Sequence, residues 1–165
     1  MKIYHFANSF ISAEVGKTLL TCDPWIGTTS DNGWYSYPIK TTEEISPKIF
    51  KSNFIYISHL HCDHLDFKTL SKFNNKNLTF IIKKFKNGVL KRRLQKFSKR
   101  IIEIEPWKKT KINKDFSVAI IPQIISNSSD LPDNIEYDLD TSIVIQSNKN
   151  KSVFFFNVDM PMNVN

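Results

Sequence analysis

Three of the chain's four histidines fall within the six residues His59-Leu60-His61-Cys62-Asp63-His64. Imidazole nitrogen and carboxylate oxygen are both good ligands for zinc and similar borderline metals. Residues two apart in an extended segment point the same way, so His59 and His61 can share one ion. Asp63 and His64 follow as the chain turns and can reach a second ion. Two ions about 3.5–4 Å apart can hold a bridging hydroxide and clamp both ends of a displacement. A polar loop whose histidines only make hydrogen bonds has no need of this density of ligand-type residues.

Such residues need a rigid frame. The run before them, Asn53-Phe54-Ile55-Tyr56-Ile57-Ser58, is apolar and rich in strand-favouring residues, and reads as a buried strand. After them, Phe67, Leu70 and Phe73 share one helical face, with Asp66 as the N-cap. The cluster therefore sits on a strand-to-helix loop, where functional residues of open α/β sheets gather. Upstream, residues 2–6, about 9–15 and 17–22 read as short strands, the last two joined by a hairpin turn at Glu14-Val15-Gly16-Lys17. Downstream come a strand at 78–82, a basic amphipathic helix over about 87–98, a strand at 101–104, a hairpin over 111–121, and strands at 141–145 and 152–156. From Asp23 to Pro47 the chain is irregular. A loop this long reads as functional or mobile. Its Trp25 and Trp34 are candidate substrate-binding rings for an apolar or sugar-like group, or else tryptophans packed onto the core.

The motif His59-Leu60-His61-Cys62-Asp63-His64 resembles the H-x-H-x-D-H signature of the metallo-β-lactamase superfamily. Gly16-Lys17-Thr18-Leu19-Leu20-Thr21-Cys22-Asp23-Pro24-Trp25 resembles that family's early strand and its structural aspartate, here Asp23. Phe154-Phe155-Phe156-Asn157-Val158-Asp159 resembles the later strand that ends in the metal-bridging aspartate, here Asp159. The resemblance implies an α/β fold, an αββα sandwich with a one- or two-metal site along one edge of its sheets. It implies a metal-dependent hydrolase acting on an ester, amide, lactone or phosphodiester of a small-molecule substrate. His59, His61, Asp63, His64 and Asp159 would be ligands, with zinc as the expected metal and iron or manganese as alternatives. Asp63 would also be catalytic, orienting the nucleophile, and Asp23 would buttress the loop from behind. The spacing Asp23-Pro24-Trp25 to Gly33-Trp34 is similar to the metallo-lactamase-like part of sialic-acid nucleotide hydroxylases. Those proteins also carry a Rieske iron–sulfur module, which two cysteines alongside these histidines do not supply.

The chain departs from the family in two places. The usual third histidine follows a strand equivalent to about residues 116–122, and a last one lies well beyond the bridging aspartate. No histidine follows His64 here. Gln123 and Asp130 are the local replacements, and each ion is expected to lack one protein ligand. The expected domain is therefore a single, incomplete one over 1–165, without the final strands and helix of the second half. That leaves a sheet edge or apolar face open to a partner or a second copy. A fragment, a degenerate non-catalytic member and a compact variant completed by dimerisation all fit this pattern.

Composition narrows the class further. At 165 residues the chain is long enough to bury one core, and no apolar run is long enough to cross a bilayer. Two cysteines give no disulfide framework, and the N-terminus has no secretory pattern, so a cytoplasmic protein is expected. The net charge of +7 is concentrated between Lys83 and Lys114. A solvated basic face explains it, and a nucleic-acid-binding or nuclease-type member is the alternative.

Overall fold

The structure is a computed structural model that describes residues 1–29, 32–123 and 140–159. Strands β1 (Lys2–Ala7), β2 (Phe10–Val15), β3 (Thr18–Cys22), β4 (Phe54–Tyr56), β5 (Thr79–Lys83) and β6 (Ile101–Ile104) form one sheet in sequence order. The first three pair antiparallel, and β3 to β6 run parallel. Strands β7 (Thr110–Lys111), β8 (Phe116–Pro122), β9 (Thr141–Ser147) and β10 (Val153–Phe156) form a second, antiparallel sheet in the order β10-β9-β8-β7.

The period-2 alternation of side chains builds two cores from the first sheet. Ile55, Phe80 and Ile82 face outward and pack with Leu70, Leu90 and Leu94 of the short helices α1 (Phe67–Leu70) and α2 (Val89–Leu94). Tyr56 and Ile81 face the other way, against Phe116, Val118, Ile120, Ile143 and Ile145 of the second sheet. The described residues thus form a helix layer, a mixed sheet and an antiparallel sheet. No described helix is long and apolar enough to cross a membrane.

Both helices are shorter than their apolar spacing predicts. Asp66 caps α1 as expected, accepting from the amides of Lys68 and Thr69. The turn after α1 then tightens: Lys72 donates to the carbonyl of Thr69 and Phe73 to that of Leu70. Phe97 does the same to Leu94 after α2. Such i→i+3 bonds end the α-helix in a 3₁₀ turn while keeping the apolar face on the core.

The hairpin that joins β2 to β3 docks on the second sheet at the end opposite the histidines. Gly16 turns there at φ +64°, and a Cβ on it would meet the Asp115 carboxylate at 2.6 Å. Thr18 donates to that same carboxylate at 2.6 Å. Within the basic segment, Lys84 pairs with Glu105 and Lys91 with Glu103, both at 2.5 Å.

Candidate metal centre

The centre is assembled at one end of both sheets. In the first sheet, β3 delivers Asp23 and β4 runs on into Ser58-His59. In the second, Phe156 of β10 lies opposite Ile143 of β9, so the residue before β9, Asp140, and the segment after β10, with Asp159, emerge at the same end. Asp23 and Asp159 both leave their strands with φ in the left-handed region, +39° and +50°. Aspartate tolerates this conformation better than most residues, and such outliers gather at functional sites.

Asp23 is fully buried and holds the loop in place. Its carboxylate accepts from the Ser58 amide at 2.8 Å, from Ser58 Oγ at 2.6 Å and from His64 Nδ1 at 3.0 Å. The proton of Ser58 Oγ is spent on Asp23, so the 2.9 Å contact between Ser58 Oγ and His59 Nδ1 requires the ring nitrogen to donate. That assigns His59 the tautomer with a lone pair on Nε2. The His64 ring is fixed the same way, Nδ1–H toward Asp23 and Nε2 toward Asp159 at 3.0 Å and Asp63 at 3.4 Å. An orienting partner on the far nitrogen is the usual support of a metal-binding histidine.

The outward nitrogens converge. His59 Nε2 lies 2.8 Å from His61 Nδ1 and 3.2 Å from a carboxylate oxygen of Asp140. Two sets of ligand atoms lie within 4.8 Å of one another: His59, His61 and Asp140, and His59, His64 and Asp159. The His59 Nε2 lone pair, facing a carboxylate oxygen with a second imidazole nitrogen beside it, fits a cation. The donor set of imidazoles and carboxylates suits a divalent transition metal.

The structure thus brings together His59, His61, Asp63, His64 and Asp159, with Asp23 behind them. The sequence reading missed Asp140, which closes the first ligand set. It also missed Tyr56 and Thr141, which fix the strand that bears Asp140. Thr141 Oγ1 donates to the Ser58 carbonyl at 2.8 Å and accepts from the Tyr56 hydroxyl at 2.5 Å, all of it buried. An aspartate flanking a strand end was the available signal, as it was for Asp23 and Asp159. Gln123, one proposed replacement, pairs through its backbone with Asp140 at 3.0 Å. Asp130, the other, lies outside the described residues.

The two tryptophans separate. Trp25 is packed in the interior, 2% exposed, and its Nε1 has no hydrogen-bond partner among the described residues. Trp34 is 64% exposed and lines a cavity of about 290 Å³ with His61, Cys62, Asp63 and Asp159. Around it the chain doubles back: Thr28 bridges to Tyr35, Thr29 donates to the Trp34 carbonyl, and Ser36 donates to the Gly27 carbonyl. A second cavity of about 260 Å³ also borders Asp63 and Asp159, and is lined further by Asn8, Ser9 and His64. His5, away from the cluster, bonds through Nε2 to the Asn8 carbonyl at 2.9 Å.

Burial opposes charge on His64, but the hydrogen bonds and negative charges of Asp23 and Asp63 outweigh it and push its pKa up to about 10. Burial, helped by the charge on His64, pushes His59 down to about 4. The contribution of His64 to the stability of the metal-free chain is full below the unfolded value near 6.5 and is lost as pH rises through about 10. An ion binding at Nε2 must displace that proton. Metal binding at pH 8 is therefore expected to release about one proton from His64, with affinity rising about tenfold per pH unit in this range. Calorimetric titration in two buffers of different ionisation enthalpy measures the release; no buffer dependence would contradict it.

Parallel strands carrying a histidine–aspartate loop at their carboxyl ends, backed by a second sheet, define a metallo-β-lactamase fold. A family profile described as the beta-lactamase superfamily domain matches residues 20–160, and the chain belongs to that family. The chain is 32% identical over 78 residues to the cytidine monophosphate-N-acetylneuraminic acid hydroxylase of Asterias rubens, covering 47% of this chain and 12% of that protein. It is 22% identical over 158 residues to the Xenopus laevis hydroxylase of the same name, covering 92% of this chain and 24% of that protein. Among solved structures, the metallo hydrolase Igni18 from Ignicoccus hospitalis aligns over 98% of this chain and 62% of its own, with 20% identity and a TM-score of 0.67. CmlA, a diiron beta-hydroxylase from Streptomyces venezuelae, aligns over 96% of this chain and 29% of its own, with 17% identity and a TM-score of 0.66. The chain thus spans less than two thirds of the length of each of these proteins.

Proposed function

We propose that this chain carries the metal centre of a metal-dependent hydrolase acting on a small molecule with an ester, amide, lactone or phosphodiester bond. One observation carries the reading: two ligand sets share His59, and the rings of His59 and His64 are pinned from behind so that their free nitrogens converge. Zinc is the reference metal for such a site, with one or two ions per chain. A bound divalent ion would supply a water with its pKa lowered toward about 7 and polarise the scissile group.

The chain's own residues supply the rest. His59, His61, His64 and Asp159 hold the ions. Asp63 lines both cavities, 3.4 Å from His64 Nε2, placed to orient the attacking water and take its proton. Asp23 keeps His64 oriented. Elemental analysis of the purified chain, followed by chelation and reconstitution against p-nitrophenyl acetate, a lactone and bis-p-nitrophenyl phosphate, tests the proposal. Turnover that disappears with chelator and returns with metal is expected. A chain that binds no transition metal overturns the reading and leaves a non-catalytic member of the fold.

Trp34 gives the site a side for the substrate's ring. Trp34 lines the cavity beside His61 and Asp63 and is mostly open to solvent. Stacking of this kind contributes about 0.5–1.5 kcal/mol beyond area burial. Trp34→Ala is therefore expected to raise KM for an aryl substrate by up to about tenfold with kcat nearly unchanged. An equal loss in kcat with KM unchanged would place Trp34 outside ground-state binding.

A further inference from the structure

We propose that Asp140 is the third protein ligand of the first ion, in the place of the imidazole that this chain lacks. The proposal rests on the metal-centre reading above and specifies which side chain completes its first ligand set.

The imidazole count forces the question. The chain has four histidines, and three are in the loop. The fourth, His5, is tied to the Asn8 carbonyl on the first hairpin. No further imidazole among these 165 residues completes the first set. Among the described residues, Asp140 is the acidic side chain that closes on both His59 and His61. Its Oδ1 lies 3.2 Å from His59 Nε2, and its side chain is 14% exposed. The backbone on either side is fixed. Gln123 donates to the Asp140 carbonyl, and Thr141, the next residue, is bonded to Ser58, the residue before His59. Asp140 and His59 are thus held one residue away from a single buried hydrogen bond, which sets their separation.

The exchange of an imidazole for a carboxylate has a chemical consequence. Catalytic zinc sites are four-coordinate and include sets of two histidines and one carboxylate with a water in the open position. The same donor set with open positions also holds non-haem ferrous iron, so a carboxylate in the place of an imidazole leaves the site competent for either ion. The second set, His59, His64 and Asp159, has the same composition. Zinc outranks iron at most sites by intrinsic affinity. The signature of Asp140 is therefore a narrowed zinc advantage rather than a reversed one.

The test compares the wild-type chain with Asp140→Asn and Asp140→His. Each is stripped of metal and titrated anaerobically with Fe(II) and with Zn(II), with bound ions counted by elemental analysis. Asp140→Asn is expected to lose one ion per chain, or at least about tenfold in affinity for it. Asp140→His is expected to tighten zinc by about tenfold or more while changing iron much less, widening the zinc-to-iron ratio. Cobalt(II) gives a second readout, with weak absorption bands in the wild type and intense four-coordinate bands in Asp140→His. An unchanged ratio and unchanged cobalt spectrum in Asp140→His overturn the proposal, whatever Asp140→Asn does to folding. A wild-type chain that binds no ion removes the metal-centre reading altogether; ions bound without regard to residue 140 remove only this one.

Discussion

His59→Ala is expected to strip the centre of its ions and bring metal-dependent turnover to background. His59 belongs to both ligand sets, so its loss takes a donor from each. It is also rigidly held. It is fully buried, bonded from behind to Ser58 at 2.9 Å, and packed between the other two rings at centroid distances of 4.4 and 4.3 Å. Loss of an outer partner of a metal ligand already costs about 10–100-fold in affinity, so loss of the shared ligand should exceed about 100-fold. His61→Ala leaves the second set whole and should retain one ion. Elemental analysis of the two variants side by side checks the claim. A His59→Ala chain that keeps the wild-type ion content would show that the two sets are not used as described.

The second large effect falls on folding. Asp23→Ala should destabilise the metal-free chain by about 3–5 kcal/mol, the usual result of removing one partner from a buried ion pair. The carboxylate is the common acceptor for a backbone amide, a hydroxyl and the His64 ring, and all of these are buried. Removing it leaves Ser58 and His64 as buried donors without partners. It also frees the tautomers of both rings, because Ser58 Oγ no longer spends its proton on Asp23. Metal affinity should fall along with stability. Asp23→Asn keeps the shape of the side chain and should retain more stability than metal binding. Urea unfolding of the metal-free proteins measures the first quantity, and calorimetric titration the second. A metal-free Asp23→Ala chain as stable as the wild type would remove Asp23 from its supporting role.

Much of the site was legible because its parts are contiguous. His59, His61, Asp63 and His64 lie on one loop, and a buried strand followed by a capped helix placed that loop at a sheet end. Asp23 and Asp159 could be found by their position just past apolar strands. Asp140 was harder to find. It precedes its strand, and nothing in local sequence says that β9 starts beside the loop rather than at the far end. That follows only from the antiparallel pairing of β8, β9 and β10. The roles of Trp25 and Trp34 were equally undetermined. Both are tryptophans in one irregular segment, and only the path of the chain decides which is buried. The helices were found but overextended, because apolar spacing marks the face that packs and not the point where the hydrogen-bond pattern tightens.

The ligands come from two layers. His59, His61 and His64 hang from the mixed sheet, whereas Asp140 and Asp159 belong to the antiparallel one. An ion coordinated by both kinds is a rivet driven through the sandwich. Its binding free energy is then also cohesion between the two layers, added to what the shared apolar core provides. Occupancy of the centre and the mechanical integrity of the domain are then linked, and any condition that drains the first loosens the second.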